Sequence, residues 1–443
     1  MKSGIVIIVF LLFLLLLFSS CNSVDPPPPK DEKPVLELKL EDVSCIEAWI
    51  ELTITNFQPP ATISLNQNNQ TRSIINLVKA DTLLYIDSLL PNQNYSFHAA
   101  MQPSNNADEV KSNVLSVTTL DTTSHNFTFQ TWTLGDLGSS VLYDAAIIDE
   151  NNIWAVGEIF INDTSKLGYT KYNAMHWDGS NWELKRIYYY GACSVVEYPP
   201  LKAIWAFAEN NIVITNGGSI GWFDGNTVDL DCRVNSLLTG AINKIWGSSN
   251  NDLYVVGNNG NIARYNGSQW SRIESGTVLN INDIWGDYNE KTNEWEILAV
   301  ASNIFSGFEK EVIKINHLNS QILSRDGIDE TLSSVWFKAN IKYYVVGSGT
   351  YKKNKLSDAI WEGDPLDITN YFENRIRAND INDVFVAGAF GELLHFNGVR
   401  WQSYLNETGL FNGAYLSVGI KNNILVAVGY EAAQAKIIVG NRE

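Results

Sequence analysis

Ala241-Ile242-Asn243-Lys244-Ile245-Trp246-Gly247, Asn251-Asp252-Leu253-Tyr254-Val255-Val256-Gly257 and Ile262-Ala263-Arg264-Tyr265-Asn266-Gly267-Ser268-Gln269-Trp270 follow one another along the chain. The first run closes on Trp-Gly, and the second is strongly apolar and ends in a small residue. The third ends in aromatic-Asn-Gly, and Trp270 opens a fourth. Short β-type runs joined by Asn-Gly turns predict four antiparallel strands. The pattern recurs from residue 125 onward. Its second runs end at Gly157, Asn216, Gly257, Ala301, Gly347, Gly388 and Gly429, with spacings of 59, 41, 44, 46, 41 and 41.

Four short strands every forty-odd residues is the period of a β-propeller blade, and seven endpoints predict seven blades. After Gly429 only one further strand remains, Ala435–Gly440. The stretch Phe127–Leu134 is similar to the fourth runs Trp182–Ile187 and Trp270–Ile273. It is expected to complete the last blade and so remove an exposed edge. The turns Trp177-Asp178-Gly179-Ser180-Asn181-Trp182, Tyr265-Asn266-Gly267-Ser268-Gln269-Trp270 and Phe396-Asn397-Gly398-Val399-Arg400-Trp401 resemble those of tandem propeller repeats in bacterial envelope proteins. That resemblance implies a fold and a habitat, and no activity.

Upstream, residues 34–120 carry alternating runs at Val35–Leu40, Trp49–Ile54, Thr62–Leu65, Leu83–Ile86, Tyr95–Ala100 and Val114–Thr118. Their spacing predicts an antiparallel sandwich. Leu89-Leu90-Pro91-Asn92-Gln93-Asn94-Tyr95 resembles the tyrosine corner of a fibronectin type III domain, which implies that fold and makes Trp49 the expected core tryptophan. The fold class read from sequence is therefore all-β, a fibronectin type III-like sandwich followed by a seven-bladed propeller over 124–443.

The first residues give an address. Lys2 precedes the unbroken apolar run Ile5–Phe18, then Ser19, Ser20 and Cys21. The run suits a secretory leader and is short for a bilayer span. Residues 1–20 resemble a bacterial lipoprotein signal, which implies cleavage before Cys21 and its lipidation there, palmitate included. Residues 21–33, with Pro26–Pro29, read as an extended tether. A membrane partner is thus expected through the lipid.

Of 443 residues, 45% are hydrophobic and 18% charged, enough to build packed cores. A net charge of −18 disfavours nucleic acid. Cys45 reads as a buried thiol, and Cys193 and Cys232 as a possible disulfide.

Candidate chemistry is sparse. Trp205, Trp246, Trp285 and Trp336 share one slot of the inner run and read as packing between blades. His176 and His395 share another slot, in distant blades. The turn residues Asp178, Asp224, Asn266 and Asn397 suit hairpin chemistry better than calcium. No metal or other cofactor is expected. One inner slot holds Asp144, Ala203, Lys244, Asp283, Ser334, Arg375 and Leu416. If it points into the channel, Asp144, Lys244, Asp283 and Arg375 form a mixed-charge ring able to hold a polar ligand, or able to pair internally. Arg377 stands where neighbouring blades have Trp and needs another partner.

No nucleophile elbow or phosphate loop occurs. The expectation is a non-enzymatic, monomeric platform for a protein or glycan partner in the envelope. The alternatives are a scaffold for an envelope complex, or a carbohydrate-active enzyme using Asp144 or Asp283 with a second carboxylate.

Overall fold

The computed structural model describes residues 33–443 apart from 57–59, 103–107, 305–307 and 365–368. The leader, Cys21 and nearly all of the tether lie outside the described residues.

Among the described residues there are seven four-stranded antiparallel sheets and, upstream, one three-stranded and one five-stranded sheet. The innermost strands of the seven are Val141–Asp149, Ala203–Ala208, Ile242–Ser249, Ile281–Asn289, Leu332–Lys338, Glu373–Asp380 and Gly413–Lys421. Each contacts the next, and the last contacts the first, so they form a closed circuit around a channel. The second strands are the most apolar, as in Asp252–Gly257, where every residue after Asp252 is buried. They are covered on both faces by neighbouring sheets, which explains the near-continuous hydrophobic runs. The seventh sheet takes its outer strand from upstream: Phe127–Leu134 pairs along its whole length with Gln434–Arg442.

A bulge recurs in six of the innermost strands, at Tyr143, Asn243, Asn282, Ser333, Asn374 and Leu416. A bulge turns one side chain out of the pleat, and four of these side chains reach the next sheet. Asn243 Nδ2 donates to the Ile281 carbonyl at 3.0 Å, and Asn282 Nδ2 to that of Leu332 at 2.8 Å. Ser333 Oγ donates to the Glu373 carbonyl at 2.5 Å, and Asn374 Nδ2 to that of Tyr415 at 2.9 Å. Cys193 and Cys232 are disulfide-bonded, with Cα atoms 5.4 Å apart. The bond ties the loop after the first sheet to the end of the second sheet's outer strand.

The upstream sheets are Val35–Val43, Ala48–Thr55 and Asp81–Ile86 on one side, and Gln70–Leu77, Ala61–Gln67, Asn94–Met101 and Val110–Lys111 on the other. Leu115–Thr118 also pairs with Asn94–Met101. Leu38, Ile50, Leu52, Ile63, Leu65 and Phe97 fill the space between them. The Tyr95 hydroxyl accepts from the Leu90 N–H at 2.9 Å, closing the expected corner. Gln70–Leu77 and Val110–Lys111 were not foreseen.

Trp49 is the clearest correction. It is fully buried, but in a cluster with Trp336, Ile341, Tyr344 and Ile381 of the larger unit. Side chains alternate along a strand, so with Ile50 and Leu52 facing the sandwich core Trp49 faces away from it. Around it Lys342 pairs with Glu47 at 2.6 Å, and Lys338 with Asp42 at 2.6 Å. Lys355 Nζ donates to the Leu83 carbonyl at 2.8 Å. Cys45 is a buried free thiol whose Sγ lies 3.1 Å from the Asp121 carbonyl and 3.8 Å from that of Asn397. Gly398 has φ +92°, and a Cβ there would come within 2.4 Å of that sulfur, so this turn needs glycine twice over.

The link into Phe127 crosses a histidine pair. His125 Nδ1 and His395 Nδ1 are 2.8 Å apart, and His395 Nε2 meets Asp383 Oδ1 at 3.0 Å. Arg442, on the strand paired with Phe127–Leu134, also pairs with Asp383. Burial, the His395 ring, Arg400 and Arg442 push His125 down to about 4. Burial likewise lowers His395, with Asp383 opposing.

Two outcomes are expected. Trp49→Ala removes a fully buried indole and should cost about 3–5 kcal/mol; urea unfolding should separate into two transitions as the docked sandwich loosens. Because His125 is held below its ordinary 6.5, its contribution is complete above that value. It should be lost as pH falls from 6.5 towards about 4, where the folded protein must also take up the proton. Denaturant midpoints across that range should fall less in His125→Gln than in the wild type.

Candidate functional site in the central channel

The residue after each bulge points inward. Asp144, Lys244, Asp283, Ser334 and Arg375 all pair opposite the residue that directly precedes the repeat endpoint of their second strand (Val156, Val256, Val300, Val346 and Ala387), and so share one level of the channel. In the seventh sheet that place belongs to Ser417, opposite Val428, and Leu416 is the bulge residue. The count from Gly429 misplaced it because this inner hairpin lacks the second irregularity found near the turn in the first, third and sixth sheets. One residue fewer in the hairpin shifts the slot by one.

The structure brings the four charged candidates together and pairs them. Lys244 Nζ bonds to Asp144 Oδ1, which also accepts from Ser417 Oγ at 2.7 Å. Asp144 Oδ2 accepts from the Ile204 N–H at 3.1 Å. Arg375 Nη1 meets Asp283 Oδ1 at 2.5 Å. Arg377 grips the same carboxylate in a fork, at 2.8 and 2.9 Å. Asp283 also accepts from Ser334 Oγ and from the Val335 N–H. All but Arg377 are buried, Asp283 completely. The partner that the sequence required for Arg377 is therefore Asp283, with Trp285 beneath it, 5.0 Å from the guanidinium to the ring centre.

Burial alone would raise both carboxyls, but the cations outweigh it. Lys244 and Arg375 hold Asp144 below the usual carboxylate range, and Arg375 and Arg377 do the same for Asp283. Lys244 is pushed down to about 8 by burial and by the Arg375 guanidinium, against the pull of Asp144. Carboxylates held ionised and hydrogen-bonded on several sides are poor proton donors.

This paired layer divides the channel. Where the innermost strands begin there is a cavity of about 410 Å³, lined by Tyr143, Lys202, Asn243, Asn282, Asn374 and Arg375 among others. Where they end there is one of about 290 Å³, lined by Trp205, Trp285, Arg377, Ile147 and Ile420 beside Asp144 and Lys244. Lys202, unremarked in the sequence, sits in the first mouth with its ammonium 3.5 Å from the Tyr143 ring centre. Its signal was available: it occupies in the second sheet the position that Asn243 and Asn282 hold in theirs.

The other candidates lie elsewhere. Trp205 packs between Trp246 and Trp285, with ring centres 6.3 and 6.1 Å apart. His176 stacks on Trp154 and bonds to Asn152. Asp178, Asp224, Asn266 and Asn397 each accept from the N–H groups of their own turn.

Asp283→Asn should strand Arg375 and Arg377 without a counter-charge and cost about 3–5 kcal/mol. Arg375→Gln should cost far less, since Arg377 remains. Urea unfolding of the two variants side by side checks that order.

No protein-family model matches the chain, and no curated protein does. Among solved structures it is similar to one described as YCF48 bound to D1 peptide, at 16% identity and TM-score 0.51, over 71% of this chain and 95% of that one. YCF48 from Cyanidioschyzon merolae matches at 12% identity and TM-score 0.49, over 70% and 98%. The Dos1 propeller matches at 10% and 0.45, over 70% and 95%. At such identities the likeness speaks for fold alone, that of a β-propeller.

Proposed function

We propose that this chain is a lipid-anchored envelope protein whose propeller is a non-enzymatic binding platform for a protein or glycan partner. In this reading the seven sheets are seven blades of one ring, and the upstream sandwich is fibronectin type III-like. Its strands pair in the order expected of that fold, three on one side and the remainder on the other. The observation that carries the binding reading is the fate of the two inner carboxylates. Asp144 and Asp283 are buried under cations, so neither is free to act as the acid or base a glycosidase requires. Among the described residues, what remains open in the channel are two cavities of ligand size on either side of the paired layer. A similar fold is described as bound to a D1 peptide, a precedent that favours a protein ligand. Anchoring rests on the leader, Cys21 and the proline run.

The test has two parts. Cells fed a clickable palmitate analogue should label the wild type and not Cys21→Ser, which should leave the membrane fraction. Photo-crosslinking residues placed at Leu416, in the mouth where strands begin, and at Ile420, in the other, should capture a partner from one mouth. Crosslinks confined to positions on the outer strands would move the interface off the channel. Glycan hydrolysis by the purified protein, lost in Asp144→Asn or Asp283→Asn, would replace the reading with the enzymatic one.

A further inference from the structure

The charge inside the channel is the reverse of that on the whole chain. The protein carries −18, yet among the described residues its channel lining gathers Lys202, Lys244, Arg375, Arg377 and, at the far rim on the Ile148 carbonyl, Lys421 around Asp144 and Asp283. Lys244 balances Asp144. Asp283 balances one guanidinium and is shared by two. Lys202 has no carboxylate within ion-pair distance among the described residues; its partner is the Tyr143 ring. Lys421 aside, positive charge is in excess by one guanidinium and one ammonium, and Lys202 and Arg375 line the mouth where the strands begin. Among the described residues no Asp or Glu lines that mouth. The nearest acid on the strand, Glu373, is buried beneath Thr350, and burial pushes its carboxyl up to about 8, so it is largely neutral at pH 7.

Positive charge in excess beside a buried guanidinium is costly unless something compensates it. Arg375 adds a second sign: its Nη1 is committed to Asp283, but its Nε is buried and makes no hydrogen bond. An unspent donor on a guanidinium that is 8% exposed is an uncommon thing to leave in a native fold. Meanwhile Asn243, Asn282 and Asn374 have committed their amide N–H groups to the next sheet, which leaves their side-chain carbonyls as acceptors.

We propose that this mouth binds a carboxylate group, held between Lys202 and Arg375, on a ligand that enters from the face where the innermost strands begin. The proposal rests on reading the channel as a binding site and names the chemistry it takes. A singly charged, planar acid matches one ammonium and one guanidinium already half committed to Asp283. A phosphate would bring three acceptor oxygens and up to twice the charge to the same few donors. The Asn carbonyls suit a hydroxyl or an amide N–H beside the carboxylate. The paired layer beneath blocks passage, so the acid enters end-on.

The test is calorimetric titration of the mature full-length chain in detergent with two matched pairs of probes. Glucuronate is compared with glucose, and N-acetyl-alanyl-alanine with its C-terminal amide; inorganic phosphate is run alongside. The acid of at least one pair should bind about tenfold or more tightly than its neutral partner, and more weakly as salt is raised. Which acid binds identifies the source of the carboxylate. Lys202→Gln and Arg375→Gln should each weaken that acid by about tenfold. Their thermal midpoints should change little, because Lys202 lies at the mouth and Arg377 still covers Asp283. Equal binding of acids and neutral partners, tighter binding of phosphate, or wild-type affinity in both variants would overturn the assignment. Crosslinks from Leu416 that persist in that event would leave the platform reading standing and remove only the carboxylate.

Discussion

The pairing of Phe127–Leu134 with Gln434–Arg442 is the constraint on which the rest depends. Without it the seventh sheet would end on the unpaired edge of Gln434–Arg442 and Phe127–Leu134 would have no partner strand, and an open edge invites pairing with another chain. With it, the innermost strands form a closed circuit and the channel has fixed dimensions. The same pairing pins the segment just upstream, so His125 is driven against His395 and Arg442 against Asp383. It also brings Thr123 onto Asn382 and Asn397. The sandwich is held where it is partly because the strand that follows it is part of the propeller.

The inner bulge is the second organising device. In six sheets it spends one residue, which in four of them sends a side chain across to the next sheet, and it sets the following residue inward. Repeated around the ring, it produces two layers that do different work: a rim of amides joining sheet to sheet, and beneath it a layer of charges. The charges are internally paired in the manner expected of a low-dielectric interior, where each ion needs a partner and hydrogen bonds to be tolerated. That arrangement makes the layer a partition, and leaves any ligand to the mouths on either side.

Much of this was legible in the sequence, because a repeat reports its own geometry. The endpoints Gly157 to Gly429 located the second strands, and the surplus of fourth-run strands at the start located the closing one. The four charged slot residues were identified by counting alone. Counting failed at Leu416, where a hairpin one residue shorter moved Ser417 into the slot. It also failed to show that Asp283 serves two arginines, because that is a property of distance across the channel and not of spacing along a strand. Gln70–Leu77 escaped because its polar opening, Gln70-Thr71-Arg72-Ser73, carries none of the alternation by which half-buried strands announce themselves. Trp49 was assigned to the wrong core because alternation gives the face a residue is on and not what lies opposite. The docking of sandwich on propeller through Glu47, Asp42 and Trp49 has no local signature at all.

A ring sealed by a strand that precedes it in sequence has a fixed order of assembly. The sandwich and the first six sheets can form as the chain emerges, each on contacts already present, but the seam waits for Gln434–Arg442. Until then Phe127–Leu134 is an orphan strand beside a docked domain, with Trp132 and Leu134 unable to reach the seventh sheet against which they end up packed. That interval is the one in which two molecules are most exposed to exchanging closing strands. The histidine pair and Arg442, gathered at the seam, mark the place where a correctly closed monomer and a swapped dimer would be distinguished only by which chain supplied the strand.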